Sequence, residues 1–231
     1  MIFKTFTYLY ILRFAWSKVV EPNFALYHLI KNNGFHREFE WFLESTFIDE
    51  PTNNFSKCEY VLQIVIPTGM FVNPDEIADL NRKKMINAFL DGFVDIEAPE
   101  YEAKEHTIYI FLNGSKIRST TVMLPFHLRY HRATFGGGFA EININKPSLL
   151  VYCPSGMLTF FENNPIVEGV CDLKGQTKCA WWNITYKAFF EDAQILVPVG
   201  NLDHFPFVAI VSLILGCLGC IYVLSVLSSR K

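Results

Sequence analysis

Residues 124–132 (LPFHLRYHR) hold the densest group of side chains in this chain that could do chemistry. If the segment is a strand, its side chains alternate between two faces. One face then carries His127, Arg129 and His131, and the other carries Phe126, Leu128 and Tyr130. Two histidines on one face could bind a metal or act as an acid and a base.

The arginine between the two histidines argues against a metal site. Its guanidinium is permanently charged and disfavours a nearby cation, and no carboxylate follows at ligand spacing. We therefore predict no metal, and instead a polar surface that contacts a partner protein. Its members are His127, Arg129, Tyr130, His131 and Arg132. The alternative is that they stabilise the domain itself, with Tyr130 in the core and Arg132 next to an acid.

Asp95 and Glu97 flank Ile96 and form a second candidate. Strand alternation would place both carboxylates on one face, with the strand ending at Ala98-Pro99. Such a pair resembles the carboxylates with which some sugar-nucleotide transferases hold a metal. Acids that flank an apolar residue on a solvated strand are far commoner, so we expect a second partner-binding patch here.

Sequence motifs of catalytic sites do not stand out. The glycines at 136–138 are not followed by GK[ST] or by a helix start, so they do not form a phosphate-binding loop. No GxSxG or HExxH motif is present. The sequence predicts neither a cofactor nor an active site, and the net charge of -3 argues against a nucleic-acid binder.

Four of the six cysteines precede the apolar C-terminal segment: Cys58, Cys153, Cys171 and Cys179. In an oxidising compartment they would form two disulfides, with three possible connectivities. Cys171 and Cys179 bracket Gly175 and can close a short loop. We therefore expect these two to pair, which leaves Cys58 with Cys153.

Three sequons agree with an oxidising, glycosylating compartment. They begin at Asn54, Asn113 and Asn183. The Asn113-Gly114 pair lies between two strand-like runs, where a hairpin turn would expose it. Asn113 is therefore the preferred glycan site.

The pattern from residue 58 to residue 199 is mostly that of short strands separated by Gly, Pro and Asn. It predicts a mainly β fold, an antiparallel β-sandwich-like domain. The predicted strands are 58–67, 106–112, 116–124, 141–145, 148–153, 158–161, 180–186 and 194–197. Residues 35–54 are ambiguous between strand and loop.

One short helix interrupts the strands. Asn73 is a good N-cap, Pro74 suits the first helical position and Glu76 suits the third. The basic residues 82–84 would lie at the negative end of the helix dipole.

Both ends of the chain indicate a membrane protein. Residues 205–227 are uncharged and long enough, as a helix, to cross a bilayer. The Arg-Lys pair in the tail, 228–231, favours the cytosolic side. Residues 1–17 resemble a cleaved signal peptide, although they could instead belong to the mature domain. Residues 18–204 would then form one lumenal domain.

Several ordered motifs resemble the PIG-X family, the accessory subunit of glycosylphosphatidylinositol (GPI) mannosyltransferase I. The resemblance spans about residues 34–227. It is carried by 34–37 (GFHR), 66–76 (IPTGMFVNPDE), 95–99 (DIEAP), 124–132 (LPFHLRYHR), 145–150 (NKPSLL) and 197–200 (VPVG).

The resemblance implies a single-pass type I protein of the endoplasmic reticulum membrane, with most of the chain in the lumen. It implies a non-catalytic subunit that binds and stabilises a multi-pass catalytic partner. That partner transfers the first mannose from dolichol-phosphate mannose to the GPI precursor. The alternative from another class is an adhesion or receptor protein with a β-sandwich ectodomain. A GPI-attachment signal at the C-terminus is disfavoured by the short spacer before residue 205.

Overall fold

The computed structural model describes residues 23–46, 55–153, 161 and 163–229. The predicted fold class is confirmed: this part of the chain is mainly β, with antiparallel sheets, one short helix and one long apolar helix. The predicted signal peptide and the glycan acceptor Asn54 lie outside the described residues. So does most of the strand predicted at 158–161.

The strands, in chain order, are β1 (Asn23–Lys31), β2 (His36–Thr46), β3 (Glu59–Ile66), β4 (Met70–Phe71), β5 (Ala88–Asp91), β6 (His106–Leu112), β7 (Ser119–Leu128), β8 (Gly138–Ile144), β9 (Ser148–Tyr152), β10 (Ile166–Val170), β11 (Lys178–Ile184), β12 (Lys187–Ala188) and β13 (Ala193–Val199). The helices are α1 (Pro74–Arg82) and α2 (Phe205–Ser229). Short 3-10 turns span Phe55–Lys57, Gly114–Lys116 and Leu202–His204.

The strands form two large sheets and a ribbon. The five-stranded sheet has the order β12-β1-β2-β7-β4, and the six-stranded sheet has the order β10-β11-β9-β3-β6-β5. Strands β8 and β13 pair separately as a two-stranded ribbon. The short β1–β12 pair is parallel, whereas the large sheets are otherwise built from antiparallel pairs.

Alternation along the strands builds the core between the two large sheets. In β3, Tyr60, Leu62, Ile64 and Ile66 are buried in the main core. The core-facing residues of β7 are Val122, Leu124, Phe126 and Leu128. A smaller cluster contains the alternate residues of β3 and β6 and covers the other face of the six-stranded sheet: Val61, Tyr109, Leu150, Val170 and Trp181. Removal of these apolar surfaces from water is the main force that holds the layers together.

Helix α1 begins as its sequence predicts. The Asn73 side chain accepts a hydrogen bond from the Asp75 backbone N–H at 2.9 Å, and Pro74 is the first helical residue. Asp75 and Glu76 lie in the first turn, where the helix dipole favours negative charge. The helix connects β4 to β5 and brings Glu76 toward the five-stranded sheet.

Two local predictions are wrong. Asn113-Gly114 is not a hairpin turn, because β6 pairs with β3 and β5 while β7 pairs with β2 and β4. The segment instead crosses from one sheet to the other. Asp95 and Glu97 lie in the loop after β5 rather than on a strand.

Two disulfides join elements that the strands bring together. Cys58 bonds to Cys153, which extends the β3–β9 pairing by one position beyond Glu59 and Tyr152. Cys171 bonds to Cys179 and closes the loop between β10 and β11.

Helix α2 leaves the ribbon through the 3-10 turn at Leu202–His204. Its 25 residues span about 37 Å at 1.5 Å per residue. Within the described part of the chain it is the one helix long and apolar enough to cross a membrane. Nearly all apolar side chains of α2 are exposed, which fits a helix that crosses a membrane.

Candidate functional site

The polar segment 124–132 begins in β7, but the alternation of its side chains between two faces ends at Leu128. The Leu128 N–H donates to the Phe35 carbonyl, and the Arg129 N–H donates to the Gly69 carbonyl, both at 2.8 Å. The chain then turns, so that Leu128 and Arg129 are both buried while Tyr130 is 74% exposed. The predicted faces are therefore wrong from Arg129 onward: Arg129 points inward and Tyr130 points to solvent.

Arg129 is buried between the loop after β5 and the end of β7. Its side chain is 3% exposed, and its Nη1 donates a 2.6 Å hydrogen bond to the Ala98 carbonyl. The guanidinium also lies 4.6 Å from the centre of the Phe71 ring, at cation–π distance. Burial lowers the pKa of Arg129, and the charge of Asp95 opposes that shift. Arg129 thus holds the loop after β5 against the end of β7.

Three backbone and side-chain contacts continue this attachment along 130–132. The Glu100 N–H donates to the Tyr130 carbonyl at 3.0 Å. The Nδ1 atom of His131 lies 3.8 Å from Oε2 of Glu100. The guanidinium of Arg132 lies 4.3 Å from the centre of the Tyr101 ring. These contacts leave the Tyr130 and Arg132 side chains exposed on a backbone that is held on both sides.

The two candidate acids belong to the same surface. Gly92, with φ of 101°, follows the end of β5, and the Glu97 N–H donates to Oδ1 of Asp95 at 3.0 Å. This local turn exposes both carboxylates and replaces the predicted strand. Since residues 98–101 contact residues 129–132, the structure joins the two predicted patches. We call this face the Tyr130 surface: Asp95, Glu97, Tyr101, Tyr130 and Arg132.

His127 belongs to a different group, which spacing in the sequence did not reveal. Its Nε2 lies 2.8 Å from Oε2 of Glu76 and 3.3 Å from Nδ1 of His36. His36 is its direct partner across β2 and β7, and Glu76 comes from the first turn of α1. The Phe71 ring stacks on His127 at 5.0 Å and orients it. The pairing register of β2 and β7 would have revealed this group, but a single sequence does not show that register.

These three groups could hold a divalent cation. Their ligand atoms lie within 4.8 Å of one another, and two histidines with one carboxylate form a familiar set of zinc ligands. Without a cation, the single Nε2 site of His127 faces both a carboxylate and a second imidazole. It can donate a proton to Glu76 or accept one from His36, but it cannot do both.

Another buried polar residue, His106, lies near Arg129. His106 is 4% exposed, and its Nε2 accepts a hydrogen bond from the Val72 N–H at 3.2 Å. Burial lowers the pKa of His106 to about 4, and the charge of Arg129 acts in the same direction. His106 is therefore neutral near pH 7 and serves as an acceptor in the core.

Comparison with known proteins identifies the family. The family model described as PIG-X / PBN1 matches residues 32–228, which is most of the chain. The chain belongs to the PIG-X / PBN1 family. The match includes the Tyr130 surface, the His36–Glu76–His127 group and nearly all of α2.

Mammalian proteins are similar to this chain over most of its length. The chain is 31% identical over 192 residues to the rat "GPI alpha-1,4-mannosyltransferase I, stabilizing subunit", covering 80% of this chain and 74% of the rat protein. It is 30% identical over 195 residues to the human protein of the same name, covering 82% and 74%. "Protein pbn1" of Neurospora crassa is 28% identical over 145 residues, which is 59% of this chain and 28% of that protein.

The family match also contains the two sequons in the described residues. Asn113 is exposed at the connection between β6 and β7, and its Oδ1 accepts a hydrogen bond from the Ser115 N–H at 3.0 Å. Asn183 lies in β11 and is half-buried. Asn113 is therefore the more accessible of these two acceptors.

Proposed function

We propose that this chain is the accessory subunit of GPI mannosyltransferase I. It binds and stabilises the multi-pass catalytic subunit in the endoplasmic reticulum membrane. It thereby supports transfer of the first mannose from dolichol-phosphate mannose to the GPI precursor. The observation that carries the proposal is the match to relatives named as stabilising subunits of this enzyme.

The proposed topology is type I. Residues 1–17 act as a cleaved signal peptide, residues 18–204 form the lumenal domain, 205–227 cross the membrane, and 228–231 form the cytosolic tail. The two disulfides support a lumenal location, because such bonds persist in an oxidising compartment. An exposed Asn113 supports glycosylation there, with Asn54 and Asn183 as the further acceptors.

The Tyr130 surface is our proposed contact with the catalytic subunit. Tyr130 and Arg132 are exposed on a backbone that is held in place from beneath, and such pre-ordering lowers the entropy cost of binding. Tyrosine and arginine are also the side chains that most often dominate binding energy. Asp95 and Glu97 add negative charge at the rim. Arg129 and His131 act from within, by positioning the residues that touch the partner.

The anchor provides a second proposed contact. Gly216 and Gly219 lie three residues apart in α2, and a Cβ added at either position would meet nothing within 4 Å. Small residues let the backbones of two membrane helices approach closely. We propose that this part of α2 packs against a helix of the catalytic subunit.

A deletion and rescue experiment tests the function and the surface together. The gene is deleted in its own cells, and we measure surface GPI-anchored proteins, mannose-free GPI precursor and the level of the catalytic subunit. We expect loss of the anchored proteins and of the catalytic subunit, with accumulation of the precursor. Rescue then uses wild type, Tyr130→Ala/Arg132→Ala, or the matched control Tyr152→Ala/Lys174→Ala from another face.

The wild type and the control should restore all three measurements. We expect the Tyr130→Ala/Arg132→Ala chain to recover the catalytic subunit at least about tenfold less well, because a dominant interface residue contributes on the order of 2 kcal/mol. Unchanged anchored proteins after deletion would overturn the proposed function and favour the receptor class. Full rescue by the Tyr130→Ala/Arg132→Ala chain would overturn only the proposed surface.

A further inference from the structure

The loop between Ala133 and β8 presents an exposed aromatic residue that contributes nothing to the core. Phe135 is 80% exposed and lies in the sequence Thr134-Phe135-Gly136-Gly137-Gly138. This segment carries no charged side chain. An exposed phenylalanine on an uncharged, glycine-rich loop is a candidate for contact with another apolar phase.

Hydrogen bonds attach this loop to the residues that lead into α2. The Thr134 N–H donates to the Gly200 carbonyl at 3.0 Å, and the Leu202 N–H donates to the Thr134 carbonyl at 2.9 Å. The Gly136 N–H donates to Oδ2 of Asp203 at 2.9 Å. These bonds join positions 134–136 to 200–203, immediately before the first residue of the helix.

The glycines permit this close approach. Gly136 and Gly137 have φ of 80° and 68°. Glycine adopts such positive φ values readily because it has no Cβ. A Cβ on Gly137 would lie 3.2 Å from Cβ of Asn201. The run of glycines therefore has a geometric reason: it folds the loop tightly onto the connection to the anchor.

The length of α2 sets the depth of the loop. Its 25 residues span about 37 Å, whereas the hydrocarbon core is about 30 Å thick. Because α2 is longer than the hydrocarbon core, it extends into the headgroup region, and we place its first residues there. Phe205 and Phe207 are exposed at this end of the helix. Asp203 precedes Phe205 by two residues, so the loop that it binds lies at the same level.

We propose that the loop 134–138 inserts Phe135 into the lumenal interface of the bilayer, as a second membrane contact beside α2. This inference rests on the membrane anchoring proposed above. The contact is hydrophobic rather than ionic, since the loop is uncharged. Together with α2, it fixes the tilt of the lumenal domain on the membrane, where a single flexible connection would leave that tilt free.

Nitroxide accessibility in the full chain tests the proposal. The chain is reconstituted in phosphatidylcholine vesicles, and collisions of the label with oxygen and with a water-soluble nickel chelate are measured by electron paramagnetic resonance. Labels on the native Cys217 and Cys220 report the anchor. Phe135→Cys is then labelled in a Cys217→Ala/Cys220→Ala background. Lys146→Cys is the matched control, because β8 runs about 20 Å away from Gly138 toward this turn.

We expect the label at position 135 to collide with oxygen more often, and with nickel at least several-fold less often, than the label at 146. Equal values at 135 and 146, with Cys217 and Cys220 protected from nickel, would overturn the insertion while leaving the anchor intact. Nickel access at Cys217 and Cys220 would instead overturn the anchoring on which the proposal rests. Protection of position 135 from both reagents when the catalytic subunit is present would show a protein contact and also overturn it.

Discussion

At the scale of single residues, burial decides which role a charged or polar side chain can have. Arg129 and Tyr130 are neighbours in sequence, but Arg129 is enclosed between Phe71 and Ala98 while Tyr130 faces solvent. An enclosed guanidinium can hold a fold together, and only the exposed ring can contact a partner. His127 likewise acts through His36 and Glu76 rather than through His131, its neighbour two positions along.

The buried His106 predicts a pH dependence of stability. Its pKa of about 4 in the folded chain is below the ordinary value of about 6.5. The unfolded state therefore binds more protons between these values, and the free energy of unfolding falls as the pH is lowered from about 6.5 to 4. The contribution is at most about 1.4 kcal/mol per pH unit. Thermal unfolding of the full chain in detergent at several pH values measures it.

Two variants separate His106 from the other titrating groups. His106→Gln keeps an acceptor for the Val72 N–H and should make the pH dependence shallower. It should not abolish that dependence, because burial also lowers the pKa of His28. His204→Gln removes an exposed histidine and should leave the slope unchanged. An identical slope in wild type and His106→Gln would contradict this account.

At the scale of elements, strands and helices form where local signals agree. The alternation of β3, β6 and β9 and the capped start of α1 are readable in the sequence because each depends on neighbours within a few residues. Strand β2 was ambiguous, since its apolar residues occur on both faces, with Phe39 and Trp41 buried and Phe42 half-buried. The alternation of β7 fails beyond Leu128, where contacts to Phe35 and Gly69 end the strand.

The cap of α1 gives a prediction at this scale. Asn73→Ala removes the side-chain acceptor for the Asp75 N–H and should lower the free energy of unfolding by about 1 kcal/mol. Asn73→Asp retains an acceptor and should cost only a few tenths of that amount. Urea denaturation of the purified full chain measures both. Equal stability of Asn73→Ala and wild type would show that the cap does not stabilise the helix.

At the scale of the whole molecule, two disulfides constrain segments of very different length. The Cys58–Cys153 bond joins residues 95 apart, whereas Cys171–Cys179 joins residues 8 apart. The Cys58–Cys153 bond, which closes the longer segment, joins β3 to β9 in the middle of the six-stranded sheet. The Cys171–Cys179 bond, which closes the shorter segment, stabilises the β10–β11 hairpin at the edge of that sheet.

The two bonds should therefore differ in their contribution to stability. In the chain-entropy account, closing the longer loop stabilises the fold by roughly 4–5 kcal/mol and closing the shorter one by roughly 2–3 kcal/mol. We expect Cys58→Ala/Cys153→Ala to lower the free energy of unfolding by about 2 kcal/mol more than Cys171→Ala/Cys179→Ala. Equilibrium denaturation of both double variants measures the difference, and a larger loss from the Cys171–Cys179 pair would contradict the loop-length argument.

Features that depend on local order can be predicted from the amino-acid sequence alone. They are the apolar helix α2, the cap of α1, the alternation of most core strands and the absence of a recognisable catalytic motif. The sequence also carried the family resemblance, because the motifs that carry it can be read in order along the chain. These features rest on bilayer thickness, on capping within one helical turn and on side-chain alternation.

Which distant residues meet depends on the packing of the folded chain. His36 and His127 are 91 residues apart, and Gly136 and Asp203 are 67 apart. The loop that carries Asp95 and Glu97 lies beside Tyr130 because Arg129 holds Ala98 and the Glu100 N–H bonds to the Tyr130 carbonyl. Contacts of this kind are set by strand register and by the packing of whole layers, which are properties of the folded chain and leave no periodic trace in a single sequence.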